Sequence, residues 1–419
     1  MNITKASDLD RREFLTGMAQ ACLGVGLFSS FSAQAADHGG KAKRVIYLYM
    51  AGGMSHLDTL DPKQDKEVAG EFAPMRPSIT GERISDRLPL LARQLQHAAI
   101  IRSMTSKEGS HERGSYFMRT SYPMLGTIQH PGLGAWALKL SGKNSETLPG
   151  NINIGARNPI GAGFFEPEFE PLRISRAEAG LSNISPPPHV DEGTFEHRMQ
   201  LLRTLNTKFD SRFESRQVDG YAQAYEDAVK LMKSSELKAF DIAREPKNLR
   251  ERYGKNNFGQ GCLLARRLVE HGIKFVEVTF GGWDTHTDNF ERLEKQLQQL
   301  DAGLGTLLDD LHRRRMLEDT LVVLVSEFGR TPEINDGNGR GHHPKAFSCM
   351  LAGGGVQGGQ VYGATDSRGA TVAEKVVSVK DLNATIAHAV GIDPAHELYS
   401  KSGRPFTIAN GGKPVLALF

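Results

Sequence analysis

The segment KFVEVTFGGWDTHTDNF, residues 274–290, indicates the fold class, because a strand pattern is followed there by a polar turn and then by a helix. Residues 274–280 form an apolar run of strand type, and two glycines close it. From Phe290 onward, leucines recur at three- and four-residue steps, which is typical of a helix with one buried face. The segment TLVVLVSEFG, residues 320–329, is a second apolar strand. A strand, a helix and a strand in direct succession predict a βαβ unit whose two strands are parallel.

Three further apolar runs have the length and composition of buried strands, at 43–53, 98–104 and 346–355. Together these elements predict an α/β fold with a largely parallel central sheet that is flanked by helices. Residues 141–195 differ, because Gly, Pro and Asn are frequent in them. They predict an irregular insertion, at about 141–245 with the helices that follow, which covers the sheet rather than building it.

The first 35 residues carry the signature of an export signal. Arg11 and Arg12 precede an apolar stretch that contains several glycines and ends in the small residues AQA at 33–35. The apolar part is shorter than the roughly 20 residues that a membrane span needs. We therefore predict a twin-arginine signal peptide at 1–35 and a single α/β domain at 36–419, periplasmic or secreted.

The net charge and the cysteines of the chain indicate which classes of partner and which cross-links to expect. Fifty-one basic and 49 acidic residues give a formal net charge of +2, so we expect no nucleic-acid partner. No segment after the signal is long and apolar enough to span a membrane, so we expect no stable membrane span. Beyond the signal, Cys262 and Cys349 lie within apolar runs and are predicted to be buried and unpaired. A small anionic ester or an envelope glycan is the expected partner.

Polar residues follow several predicted strands at the point where each strand ends. In open α/β sheets, ligands bind beyond the carboxyl ends of the strands, so these side chains are expected to converge. Mixed carboxylate and imidazole ligands suit zinc, manganese or iron better than calcium. The predicted metal-ligating residues are Asp58, Asp284, His286, Glu327, His342 and His343.

The spacing of these residues restricts how they can bind an ion. In extended backbone, residues two apart point the same way, so Asp284 and His286 could reach one ion together. Adjacent residues point to opposite sides, so only one of His342 and His343 is expected to be a direct ligand. The sequence does not decide between them.

Each residue also has a purely structural interpretation. Asp284 could cap the following helix, Glu327 could pair with Arg330, and the histidine pair could be merely solvated. Because these residues occur together at the ends of successive strands, a shared metal site is favoured over separate structural roles.

The order DTH, amphipathic helix, apolar strand, SEFG and a later histidine resembles the metal-binding half of the alkaline phosphatase and sulfatase superfamily. SHERGSYFMRTSYP, residues 110–123, is similar to the start of the nucleophile helix of sulfatases. Nearly the whole mature chain resembles an exported family numbered 1501 among domains of unknown function. The stretches that carry this resemblance are GGMSHLDTLDPK, HPGLGAWA, RYGKNNFGQGCLLARRLVEHG, GGWDTHTDNF, SEFGRTPEIN and GRGHHPKAF.

The chain departs from the pattern of active phosphatases at three places. Residues 51–53 stand where the first strand should be followed by a metal-binding Asp, and Phe328 stands where a His is expected. His111 occupies the nucleophile position, with Ser110 and Ser115 nearby. The resemblance therefore implies one ion site rather than two.

The resemblance also suggests roles around that ion. Arg330, Arg340 or Lys345 could offset the charge of a bound anion, and arginine would grip it with two hydrogen bonds. His111 could serve as a base, as a nucleophile or as another ligand, and direct attack by water would dispense with a covalent intermediate.

Two functions are consistent with these residues. The first is an exported metal-dependent hydrolase of phosphate or sulfate esters, which binds a divalent metal such as zinc or manganese. The second is a non-catalytic envelope binding or assembly protein that retains the same fold. A nucleotide-dependent enzyme is disfavoured, because GGGVQGG at 353–359 leads into QVYG rather than into a helix.

The signal prediction is tested by replacing Arg11 and Arg12 with lysine. Because the twin-arginine pair is the feature that defines the signal, the double variant should stay in the cytoplasm while the unchanged chain is exported. Cell fractionation and immunoblotting measure the difference. The matched control replaces Arg44 and Arg83 with lysine. Equal export of the two double variants would contradict the prediction.

Overall fold

A computed structural model describes residues 40–79, 81–181, 190–213 and 226–419 of the chain. The signal peptide predicted at 1–35 lies outside the described residues, and so do parts of the predicted insertion.

One sheet, of nine strands among the described residues, forms the centre of the fold. The strands are β1 Arg44–Ala51, β2 Ala98–Thr105, β3 Asn151–Ile154, β4 Leu172–Ile174, β5 Phe275–Gly281, β6 Thr320–Val325, β7 Phe347–Ala352, β8 Gln360–Tyr362 and β9 Val377–Ser378. Their order is β8-β2-β7-β6-β1-β5-β3-β4, and β9 pairs with β2 as well. Strand β7 is antiparallel to both of its neighbours and every other pairing in this sheet is parallel, so the predicted largely parallel sheet is confirmed.

Helices cover both faces of the sheet, as predicted. They are α1 Pro89–Gln94, α2 His111–Thr120, α3 Leu133–Ser141, α4 Glu192–Phe213, α5 Lys247–Arg252, α6 Asn257–Glu270, α7 Asn289–Arg313 and α8 Val379–Ala389. One apolar cluster packs α1, α6 and α7 against one face, and a second packs α2, α3 and α8 against the other. Among the described residues, no helix has both the length and the apolar content to cross a bilayer.

In the part of the chain that the structure describes, four two-stranded ribbons lie outside the central sheet. The ribbon that matters for the site pairs Gly329–Arg330 with His342–His343 in antiparallel register, His342 opposite Arg330. The other three are Pro74–Met75 with Ile84–Ser85, Ala364–Thr365 with Val372–Glu374, and Leu398–Tyr399 with Pro405–Phe406.

The predicted βαβ unit is confirmed as β5, α7 and β6, with one addition. Strand β1 lies between β5 and β6 and is parallel to both, so the two strands of the unit are not direct neighbours. The leucines of α7 are buried against the sheet. Gly303 of α7 lets α6 approach closely, since a Cβ there would come within 2.8 Å of the ring of Phe258. This packing fixes where β5 and β6 end.

Two segments of the predicted insertion belong to the sheet. Strands β3 and β4 extend it beyond β5 in parallel register, Asn151 beside Phe275. The expectation that the insertion does not build the sheet is therefore wrong for these segments. NINI and LRI are too short to produce a periodic apolar signal, and their strand character depends on pairing with β5. Cys262 and Cys349 are buried and unpaired, as predicted.

A buried ion pair between Asp58 and Arg340 ties the loop after β1 to the loop before β7. The guanidinium donates to both carboxylate oxygens, over 2.9 and 3.1 Å, and neither side chain is exposed. Asn289 donates to the same carboxylate over 3.1 Å. The structure thus corrects two expectations. Asp58 has its oxygens occupied by the guanidinium, and Arg340 is enclosed where it cannot meet a bound anion.

Replacing Arg340 with alanine tests this structural role. The variant leaves the carboxylate of Asp58 buried without its partner, so the free energy of unfolding should fall by about 3–5 kcal/mol. Arg368→Ala is the control, because Arg368 is partly exposed and pairs with Glu67 at the surface, where solvent screens the ion pair and the loss should be much smaller. Urea unfolding followed by circular dichroism measures both values. Equal losses would contradict a structural role for the buried pair.

Candidate metal centre

Five of the predicted site residues meet at the carboxyl edge of the sheet because β1, β5 and β6 are neighbours there. Asp284 and His286 lie just beyond β5, and Glu327 lies just beyond β6. His342 belongs to the ribbon that follows, and His111 is the first residue of α2. Four separate chain segments thus deliver one cluster.

The carboxylate oxygen Oδ1 of Asp284 is the centre of this cluster. It lies 3.2 Å from Nε2 of His111, 3.1 Å from Nε2 of His286 and 3.5 Å from Nε2 of His342. The ligand atoms of His111, Asp284 and His342 all lie within 4.8 Å of one another. His286 is outside this compact group, although its Nε2 is 3.0 Å from Nε2 of His342.

The rings of His111 and His342 are each oriented by a hydrogen bond at Nδ1, the nitrogen that faces away from Asp284. Nδ1 of His111 is 2.7 Å from a carboxylate oxygen of Glu327, and Nδ1 of His342 is 2.8 Å from the carbonyl oxygen of Gly109. When each Nδ1 donates to these acceptors, Nε2 presents its lone pair to the cluster, as metal-ligating histidines do. Nε2 of His111 is buried there without a hydrogen bond of good geometry, so an ion would supply a partner that this nitrogen lacks.

Glu327 supports His111 rather than joining the cluster itself. Its carboxylate also accepts hydrogen bonds from the backbone N–H of Gly52 and the hydroxyl of Tyr49, each 2.8 Å long, and from Ser326 at 3.2 Å. Burial alone would raise the pKa of Glu327, but these donors, His111 foremost, hold it below its usual value. The hydrogen bond with Glu327 in turn raises the pKa of His111.

Asp284 is held ionised by Arg330. Burial opposes ionisation, but a 2.6 Å hydrogen bond from Arg330 and the positive charge of the guanidinium keep the pKa of Asp284 at about 2. The carboxylate is therefore available to a cation throughout the physiological pH range. Arg330 is itself fully buried, so the expectation that it faces a bound anion is not met.

The two histidines of the ribbon point to opposite sides. His342 turns Nε2 toward Asp284, whereas Nε2 of His343 lies 2.7 Å from the carbonyl oxygen of Ala370, away from the cluster. Alternation along extended backbone explains this division. Burial lowers the pKa of His342, which favours the neutral form that binds metals.

The sequence matches one protein family, described as Protein of unknown function (DUF1501), over residues 42–419. The chain belongs to this family. None of the curated proteins shows significant sequence similarity to it.

Several solved structures are similar to this DUF1501 chain at low sequence identity. A sulfatase from Pseudoalteromonas sp. shares 12% identity with a TM-score of 0.39, over 93% of this chain and 72% of the sulfatase. A phosphonate monoester hydrolase from Silicibacter pomeroyi shares 12% identity with a TM-score of 0.39, over 89% and 76% of the two chains. An alkaline phosphatase from the Antarctic bacterium TAB5 shares 13% identity with a TM-score of 0.36, over 77% and 94%. The roles of residues in the DUF1501 chain therefore rest on its own geometry.

The glycines after β1 have a geometric reason in this DUF1501 chain. Gly52 has a φ of +120°, and a Cβ there would lie 2.6 Å from the backbone nitrogen of Asp284. A side chain at this position would push apart the ends of β1 and β5. Gly52, one of the three residues that stand where the resemblance predicts an aspartate, is thus closed to a side chain.

Sequence reasoning missed two contributors to the centre. Tyr49, which donates to Glu327, lies inside the apolar run of β1 and carries no signal of a polar role. Gly109, whose carbonyl orients His342, contributes only backbone. The role of Tyr49 depends on the packing of β1 against β6, and the role of Gly109 depends on where the loop before α2 meets the ribbon.

His342 and His343 provide a matched pair of substitutions that tests which residues of this DUF1501 chain bind a metal ion. His342→Ala removes a nitrogen of the compact group, so the affinity for zinc or manganese should fall by at least about 100-fold. His343→Ala removes a side chain that faces Ala370 and should change the affinity by less than about threefold. Isothermal titration calorimetry on metal-depleted protein measures both. A larger effect at His343 would show that the wrong histidine has been assigned.

Proposed function

We propose that this chain is an exported hydrolase of phosphate or sulfate esters that uses one divalent metal ion. The observation that carries the proposal is the convergence of three imidazole nitrogens on one ionised carboxylate oxygen at the carboxyl edge of a parallel sheet. Nitrogen and carboxylate ligands together suit zinc or manganese. Export rests on the predicted signal at 1–35.

His111, Asp284 and His342 are the residues that would hold the ion. Three protein ligands leave a coordination position open, which is the arrangement of catalytic rather than structural zinc. The side chain of Asp284 is 47% exposed, so the cluster faces solvent while its supports, Glu327 and Arg330, are buried. A small ester can therefore reach this side of the centre.

A divalent ion bound there would polarise an ester oxygen and increase the acidity of water. His286 is placed beside the ligands with half of its side chain exposed and its Nε2 3.1 Å from Asp284. In this arrangement Nε2 of His286 donates to Asp284. With an ion bound to Asp284 and His342, this nitrogen would be released from both contacts, could accept a proton from an attacking water and could return one to the leaving group.

Water is the nucleophile that fits this arrangement. The hydroxyl of Ser115 accepts from Arg119, and the hydroxyl of Ser110 lies 3.4 Å from Nε of Arg113. His111, which occupies the nucleophile position by resemblance, is held at both ends, by Glu327 and by the cluster. The geometry thus favours direct attack by water over a covalent intermediate.

An anionic substrate would be attracted by the start of α2. This helix begins at His111, and its N-cap residue Ser110 makes no side-chain hydrogen bond to the first turn. The N–H groups of that turn carry partial positive charge next to the cluster and can bind anionic oxygens. They could supply the attraction that the buried Arg330 and Arg340 cannot provide.

The burial of Arg330 and Arg340 also supports a second candidate function. A non-catalytic envelope binding or assembly protein could use the same ion only to hold the loops together, without an arginine facing the cluster. Metal binding without hydrolysis of any phosphate or sulfate ester distinguishes this function from the first.

Substitution of His286 tests the catalytic role. His286→Ala leaves the three ligands in place, so the metal content should change by less than about threefold. The kcat for nitrophenyl phosphate or nitrophenyl sulfate should fall by about 10²–10⁴-fold, the usual contribution of a general base. Activity assays and elemental analysis of the same samples measure the two effects.

His342→Ala serves as the comparison, since it should lose metal and activity together. If His286→Ala loses metal as fully as His342→Ala does, then His286 is a ligand and not the base. Metal-loaded wild-type protein that hydrolyses neither ester would support the binding or assembly function.

A further inference from the structure

The guanidinium of Arg330 is surrounded by oxygen atoms of the kind that also coordinate hard metal ions. Its guanidinium is fully buried and donates to oxygen atoms only. The carboxylate of Asp284 accepts at 2.6 Å, and the backbone carbonyls of Gly53 and Arg340 accept at 2.9 and 3.1 Å. The carbonyl of Gly52 is a fourth acceptor. Three carbonyls and a carboxylate form the hard oxygen set that magnesium, calcium and manganese prefer.

We propose that the guanidinium of Arg330 is an internal cation that takes the place of a second metal ion. It anchors Asp284 and keeps the centre mononuclear. The inference deepens the proposed function, on which it rests, and it gives Arg330 a positioning role instead of contact with substrate.

The position of the guanidinium relative to the cluster supports this role. Nη2 of Arg330 binds the same oxygen, Oδ1 of Asp284, that lies 3.1–3.5 Å from the three imidazole nitrogens. In centres with two metals, a carboxylate commonly bridges ions that are about 3.5–4 Å apart. A second ion that shared Asp284 would need the space that the guanidinium fills.

The surrounding residues offer no further ligand for a second ion. Position 53 cannot carry a ligating side chain, because Gly53 has a φ of +72° and a Cβ there would come within 2.8 Å of the Phe328 ring and 3.2 Å of Nε of Arg330. Glu327, the other carboxylate at this edge, already accepts from four donors. An arginine side chain remains protonated in proteins, so the charge at this place is permanent.

The number of bound ions tests the inference. Metal-depleted protein is titrated with zinc and then with manganese or magnesium, and the bound ions are counted by elemental analysis after desalting. The wild-type chain should hold one ion. Arg330→Ala should hold that ion and gain a second, because the vacated oxygens become available. Arg292→Ala, which removes an exposed arginine on α7, should hold one ion as the wild type does.

Arg330→Lys keeps the test decisive if the alanine variant does not fold, which circular dichroism would reveal. Lysine carries the charge but cannot span all four oxygens, so the chain should bind one ion about 10–100-fold more weakly than the wild type. Unchanged affinity, or two ions in this variant, would overturn the inference.

The remaining outcomes separate the inference from the proposed function. A folded Arg330→Ala chain that holds only one ion would overturn the internal-cation role and leave the proposed function intact. Two ions in the wild type would do the same. A wild-type chain that binds no ion would overturn both.

Discussion

Arg330 donates to the carboxylate of Asp284 from a fully buried position, and the arrangement of the whole centre depends on that hydrogen bond. The same guanidinium binds backbone carbonyls at the end of β1, so it connects the strand ends that carry the cluster. Because a buried charge without its partner is costly, these loops can hardly move independently. The positions of the candidate ligands are therefore set by the buried hydrogen bond between Arg330 and Asp284.

The centre consists of two layers with different physical properties. The outer layer, formed by Asp284 and the imidazoles, is partly exposed and can exchange ions and small molecules with solvent. The inner layer is buried, and its acceptors are satisfied, as the four donors to Glu327 illustrate. A saturated inner layer holds each of these side chains in one orientation, which would reduce the reorganisation required to bind the proposed ion.

The parts of the site that depend on short-range pattern were predictable. The apolar strands, the leucine face of α7 and the rule for the carboxyl edge together place Asp284, His286 and His342 near one another. The roles of Arg340 and Glu327 were not predictable, because they depend on which partner lies opposite in the folded chain. The sequence alone does not distinguish an arginine that becomes buried from one that stays exposed. Strands β3 and β4 were missed for a related reason, since they become strands by pairing with β5.

The state of Cys262 and Cys349 bears on where the protein can acquire this architecture. Both thiols are enclosed in the apolar interior, where burial raises their pKa and suppresses the reactive thiolate. No covalent cross-link has to form between these two residues, so the native state does not require an oxidising compartment. Under the proposed function, the chain could complete its tertiary structure in the reducing cytoplasm and load an ion there. The proposed twin-arginine export would require such prior folding.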